Sequence, residues 1–142
     1  MQVQNILQSK GTAVHSVPDN ARVRDAVGAL NKHNIGAVLV VDAEGRLAGI
    51  ISERDIVRLL GRDATGALGR PVSECMTASV VTCTRDTPIA TLMEQMTRLR
   101  IRHMPVVEDG DIKGVVSIGD VVKRKIEEAE QEALALREYI AT

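Results

Sequence analysis

Two short segments carry the residue types from which chemistry could be built. Gly49-Ile50-Ile51-Ser52-x-x-Asp55 and Gly114-Val115-Val116-Ser117-x-x-Asp120 each close an apolar run with a hydroxyl and, three residues on, a carboxylate. Ser-x-x-Asp after a strand is a capping box. The hydroxyl accepts from first-turn amides, and the carboxylate answers the backbone and suits the helix dipole. A repeated fold needs repeated caps, so two copies do not by themselves ask for more. The same turn also holds the parts of a nucleoside-phosphate site. Free amides where a strand enters a helix bind phosphate, and a carboxylate there can accept both ribose hydroxyls. Aliphatic neighbours can flank a base, and the glycine permits close approach of a backbone. Both readings stand on the residues.

Other chemistry is thinly supplied. His15, His33 and His103 are scattered, and no nucleophile–base pair follows in chain order, so the expectation is a protein that is not an enzyme. Cys75 and Cys83 lack a metal-site spacing and read as two reduced thiols; no metal is expected. Eighteen basic against nineteen acidic residues leave a net charge of −1, which argues against a polyanion-binding face. There is no Trp or Phe and a single Tyr, so stacking platforms for nucleic acid are missing. The longest aliphatic run, Ala37 to Val41, is far short of a membrane span, and Met1 to Asn5 show no secretory pattern. A cytoplasmic protein is expected.

The elements that must position the two motifs repeat. Leu47 to Val57 returns as Ile112 to Val122 at an offset of 65, and Asn34 to Asp42 returns as Arg100 to Glu108 at 66. One deletion in the turn Asp42 to Gly45 reconciles the two. A strand over Val14–Val17 precedes a helix capped by Asp19 or Asn20 and carrying Val23, Ala26, Val27 and Leu30. Strands Ala37–Val41 and Leu47–Ile51 follow, then a helix from Ser52 with Ile56, Val57 and Leu60 on one side. The second unit reads as a strand at Val80–Cys83, a helix opening at Thr87-Pro88, strands Met104–Val107 and Ile112–Val116, and a helix from Ser117. Each unit is β-α-β-β-α. Neither buries a sheet alone, so a pseudo-twofold pair is expected.

The last helix continues past its counterpart. Val122, Ile126, Ala129, Ala133, Leu136 and Ile140 are spaced 4, 3, 4, 3, 4, a heptad stripe. It suits either packing on Ile6-Leu7 or a helix pair across a homodimer.

With these motifs and this order, the chain resembles a tandem CBS (cystathionine-β-synthase-type) protein, a stand-alone Bateman module. The resemblance runs from about Leu7 to Ile126 and divides residues 1–142 into repeat 1 (7–60), a linker (61–71), repeat 2 (72–126) and a helical extension (127–142). It implies an α/β (α+β) fold of two β-α-β-β-α repeats with clefts between them, and modules that pair into a disc of four repeats. It further implies adenosyl ligands: AMP first, then ADP or ATP, with NAD(H) possible and S-adenosylmethionine less favoured. On that basis the protein is a regulatory module sensing energy or redox state and signalling to a separate effector protein.

The resemblance also carries site residues over. Asp55 and Asp120 match the family's ribose-binding aspartates, and Ser52 and Ser117 its phosphate-side hydroxyls, with Ile51 and Val116 before them. The opening strand of the partner repeat borders each cleft, placing Ser16 to Ala21 near Asp120, and Thr82, Thr84 and Thr87 near Asp55. Gly36-Ala37-Val38 and Arg102-His103-Met104-Pro105 start the middle strands and line the clefts.

The copies differ. Arg102 and His103 stand where the first repeat has Gly36 and Ala37, and suit phosphate contact or a solvated strand edge. Arg54 stands opposite Gly119, for a second phosphate or a helix surface; Lys10 is a further candidate. Non-equivalent clefts are therefore expected. The competing reading is a nucleic-acid-binding protein, favoured by Arg98 to His103 and Lys123-Arg124-Lys125.

Overall fold

The structure is a computed structural model and describes residues 1–141. Its elements run α1 (Val3–Lys10), β1 (Ser16–Pro18), α2 (Val23–His33), β2 (Ala37–Val41), β3 (Leu47–Ser52), α3 (Glu53–Arg62), α4 (Ile89–Leu99), β4 (His103–Glu108), β5 (Asp111–Ser117) and α5 (Ile118–Ala141). Short 3-10 turns at Ala67–Gly69 and Val72–Glu74 interrupt the segment between α3 and α4. The paired α/β repeats and the long C-terminal helix are as the sequence implies. Among the described residues no helix is long and apolar enough to cross a membrane.

In the first repeat β1 pairs parallel with β2, and β2 antiparallel with β3. The second repeat keeps the β4–β5 hairpin, but its opening strand shrinks to one parallel bridge, Cys83 to Val106. The expected strand Val80–Cys83 therefore does not form. Val80 and Val81 turn aside to border a cavity instead. Asp19 and Asn20 do not cap α2; the Arg22 amide donates to Asp25 Oδ2 at 2.9 Å, closing that turn.

Two apolar cores form, and each is completed by a segment from outside its own repeat. α1 places Val3, Ile6 and Leu7 among Ile89, Leu92, Met104 and Val121 of the second repeat. Residues 67–75, the end of the linker and the start of the second repeat as the sequence bounds them, place Ala67, Val72 and Cys75 among Val23, Ala26, Val38 and Ile51 of the first. Backbone bonds pin both segments. The Val3 amide donates to the Thr87 carbonyl at 2.9 Å, and the Val72 amide to the Ala21 carbonyl at 3.0 Å. Leu7, at the expected start of the first repeat, thus belongs to the second core.

The glycine of each motif makes room for these segments. A Cβ on Gly49 would stand 2.5 Å from Met76 Sδ and 3.0 Å from the Thr77 carbonyl, which pairs with Ile50 along the edge of β3. On Gly114 it would stand 2.8 Å from Leu7 Cδ2. What approaches is the chain itself.

Candidate functional site

Strand alternation sorts the motif residues onto two faces. Val38 pairs with Ile51, and Met104 with Val116; all four side chains lie in the cores. Ala37 pairs with Ser52, and His103 with Ser117, one step along, on the opposite face. Of the expected site residues, Val38, Ile51, Met104 and Val116 are therefore core side chains. Ala21 is buried in the first core and Pro105 in the second strand pair.

Both capping boxes form. The Ser52 amide and hydroxyl donate to Asp55 Oδ2 at 2.8 and 3.0 Å, and the Asp55 amide donates back to Ser52 Oγ at 3.3 Å. The Ser117 amide donates to Asp120 Oδ2 at 2.9 Å, and the Asp120 amide to Ser117 Oγ at 3.2 Å. Each aspartate thus commits one oxygen, Oδ2, to its helix start.

Around Asp55 the two repeats enclose a cavity of about 270 Å3. Gly36, Ile50, Ser52, Glu53, Arg54, Asp55 and Arg58 line it from the first repeat. Thr77, Ser79, Val80, Val81, Arg100, Ile101, Arg102 and His103 line it from the second half of the chain. Four arginines face two carboxylates there, so the cavity is electropositive at its polar end. Ile50, Val80, Val81 and Ile101 supply aliphatic walls. Arg54 reaches across the repeats, its Nη1 donating to the Arg100 carbonyl at 3.4 Å.

Thr82, Thr84 and Thr87 lie apart from this lining. Thr84 and Thr87 close a turn before α4, the Thr84 amide donating to Thr87 Oγ1 at 3.0 Å, with Asp86 also bonded to Thr84. The Thr87 carbonyl is taken by α1. Because the opening strand unravels, the segment bordering Asp55 slides back to Thr77–Val81. Ser16 is exposed on β1 beside Leu39, and nothing places it against Asp120.

Glu53, Arg58, Ser79 and Arg100 are lining residues that sequence reasoning missed. Arg100 sits in the left-handed region, φ 55°, where α4 ends, as Asn34 does at the end of α2 with φ 51°. The repeat offset was a usable signal, since it matches the two helix ends, but nothing in the residue types marked them as bordering a cleft.

The second aspartate is differently placed. Lys10 Nζ donates to Asp120 Oδ2 at 2.8 Å and to the Val115 carbonyl at 3.0 Å. Burial raises the Asp120 carboxyl, but Lys10 and the Ser117 amide outweigh it and hold it below the ordinary aspartate value. Counterparts of the cavity's arginines, 65 or 66 residues away, are Gly119 for Arg54, Lys123 for Arg58, Asn34 for Arg100 and Gly36 for Arg102. The surroundings of the two aspartates are therefore chemically unequal.

His103 stands at the junction. A Cβ on Gly36 would be 3.1 Å from both His103 Cε1 and Glu53 Oε1, so the glycine admits the ring. Burial lowers the His103 pKa, Lys10 and Arg102 push the same way, and Glu53 and Asp120 pull back. Its pKa thus lies below the ordinary histidine value. His15 and His33 stack with ring centroids 3.7 Å apart. The basic stretches form no continuous stripe: Arg100 and Arg102 line the cavity, while Arg124 and Lys125 face Glu127 and Glu128.

Comparisons with known proteins agree with the repeats. The CBS domain family profile matches residues 10–62 and again 72–127. The CBS-domain protein ATU1752 from Agrobacterium tumefaciens superposes with a TM-score of 0.85 at 42% identity, over 87% of this chain and 92% of that one. The CBS domain protein PAE2072 from Pyrobaculum aerophilum, solved with AMP, gives a TM-score of 0.76 at 27% identity over 84% of this chain and 89% of its own. The CBS domain pair of MJ0100, solved with 5′-methylthioadenosine and S-adenosylmethionine, gives 0.80 at 28% over 90% and 98%. With two matched repeats and this fold, the chain belongs to the CBS-domain family.

Proposed function

We propose that this chain is a regulatory, non-catalytic module that binds one adenine nucleotide in the Asp55 cleft and passes the signal to a partner protein. The observation that carries the reading is the joining of Asp55 with Arg54, Arg58, Arg100 and Arg102 around one cavity. The uncommitted oxygen of Asp55 suits a ribose hydroxyl. The arginines suit phosphate oxygens through their fork geometry. The aliphatic walls suit a base held by shape. A cavity of about 270 Å3 lies just below the ~300–1,000 Å3 common for small ligands, which favours the smallest of the nucleotides, AMP. ADP and ATP come next, and NAD(H) would have to extend beyond it. S-adenosylmethionine brings a sulfonium cation to an electropositive site and ranks last.

Ligand held between Asp55 and Arg100 or Arg102 contacts both repeats. It therefore stabilises one relative arrangement of them, which a partner can read. Isothermal titration with AMP, ADP, ATP, NADH, adenosine and S-adenosylmethionine tests this. Binding of phosphate-bearing adenosyl ligands ahead of S-adenosylmethionine is expected. Absence of heat with every compound would overturn the proposal.

A further inference from the structure

We infer, on the strength of the nucleotide site proposed above, that His103 takes up a proton when a phosphate-bearing ligand enters the Asp55 cavity, so that nucleotide is bound more tightly as pH falls. The geometry sets one imidazole between the two aspartate turns. β4 opens at His103, whose backbone pairs with Ser117, the cap of the Asp120 turn. Its ring borders the cavity of the other aspartate. Gly36 leaves it room: a Cβ there would stand 3.1 Å from His103 Cε1, 3.3 Å from its Nε2 and 3.1 Å from Glu53 Oε1. The Glu53 amide donates to the Gly36 carbonyl at 3.0 Å, which holds the start of α3 beside the ring.

Charges reach this ring from four elements. Lys10 at the end of α1 and Arg102 just before β4 oppose a further positive charge, while Glu53 of α3 and Asp120 of α5 favour one. Burial opposes it as well and outweighs the carboxylates, so the ring gives up its proton more readily than an ordinary histidine. Around the cavity, Arg54, Arg58, Arg100 and Arg102 outnumber Glu53 and Asp55 by two positive charges. A phosphate monoester loses its second proton near pH ~6 and so brings about two negative charges at neutral pH. It offsets the excess, and an imidazolium then sits in a balanced site. The phosphate has already given up its own protons, so the one that arrives on His103 comes from solvent. A group that gains a proton in the bound state ties affinity to pH.

Calorimetry of the full chain with AMP near pH 7, in buffers of different ionisation heat, reads that proton. The measured heat should vary with the buffer. AMP affinity should rise about threefold from pH 7.5 to 6.5, below the limit of about tenfold for one whole proton. His103→Gln should abolish the buffer dependence, and His33→Gln should keep it. In the parent chain, the His103 ring resonance in nuclear magnetic resonance should titrate at higher pH with AMP than without. AMP binding whose heat is indifferent to buffer overturns the inference and leaves the nucleotide site standing. So does a ring whose titration AMP does not move, or a His103→Gln chain that keeps the buffer dependence of the parent. A parent chain that does not bind AMP overturns both.

Discussion

Lys10 reaches from the end of the first helix to within 2.8 Å of Asp120, a residue 110 positions later. The chain's own ammonium therefore sits on the carboxylate whose counterpart, Asp55, faces an open cavity, sharing Oδ2 with the Ser117 amide. Lys10→Ala should release Asp120 and raise the nucleotide stoichiometry in calorimetry from one to two per chain. A parent chain that already takes two would contradict this, as would a variant that still takes one. Since the pair is part exposed, the variant should lose little stability. What it loses should lie on the acid side. Asp120 titrates below its unfolded value near ~3.9, so its contribution is present above that pH and vanishes as pH falls through the folded value.

Arg102 separates phosphate recognition from base recognition. Arg102→Ala should weaken AMP and ATP by about tenfold while leaving adenosine unchanged, because a charge-assisted bond is worth roughly 1.5–3 kcal/mol. Competition against a fluorescent nucleotide measures it. An equal loss for adenosine would assign Arg102 to the fold instead.

The half-buried His103 sets a pH slope. Its pKa is lowered on folding, so between the unfolded value near ~6.5 and the folded value below it the unfolded chain binds more protons. Stability should be flat above that window and fall as pH drops through it. His33 shifts in the same direction and adds to the slope. Urea midpoints at a series of pH values should show a shallower fall for His103→Gln than for the parent.

The motif glycines should differ in their tolerance of a methyl group. Gly49→Ala meets Met76 Sδ and, less forgivingly, the Thr77 carbonyl. Gly114→Ala meets only the end of the Leu7 side chain. The first should cost about 1–3 kcal/mol and the second less, read from chemical denaturation. The reverse order would show that the edge segment yields more easily than the α1 core.

Burial pushes the Cys83 thiol up to about 12 and raises Cys75 as well. Neither should react with a thiol reagent at pH 8 in the native chain, and both should react in denaturant, since the thiolate is the nucleophile. Rapid native labelling of Cys83 would show that the second core opens readily.

The strands β2 and β3 and the two caps were legible from the residues. Periodicity within a segment reports its own burial, and a cap is a local hydrogen-bond pattern. Val80–Cys83 reads as a strand because valine favours one, yet tertiary demand leaves a single bridge there. α1 offered only Val3, Ile6 and Leu7, too few to mark a helix before their partner is known. The repeat offset matched segments with segments but could not say onto which core each would fold. Arg58 and Arg100 were hidden for the same reason: a cleft between repeats is a long-range object, and their residue types suit any helix surface.

The crossed packing of α1 and the linker makes the duplication unit and the folding unit different things. A fragment ending after α3 would carry Val3, Ile6 and Leu7 with no core to receive them, and would lack Ala67, Val72 and Cys75. Each repeat is a vessel whose lid is tethered to its neighbour. The chain is therefore topologically closer to a closed ring than to two beads. One cooperative unfolding transition, coincident by circular dichroism and by thiol exposure of Cys75 and Cys83, is the expected outcome.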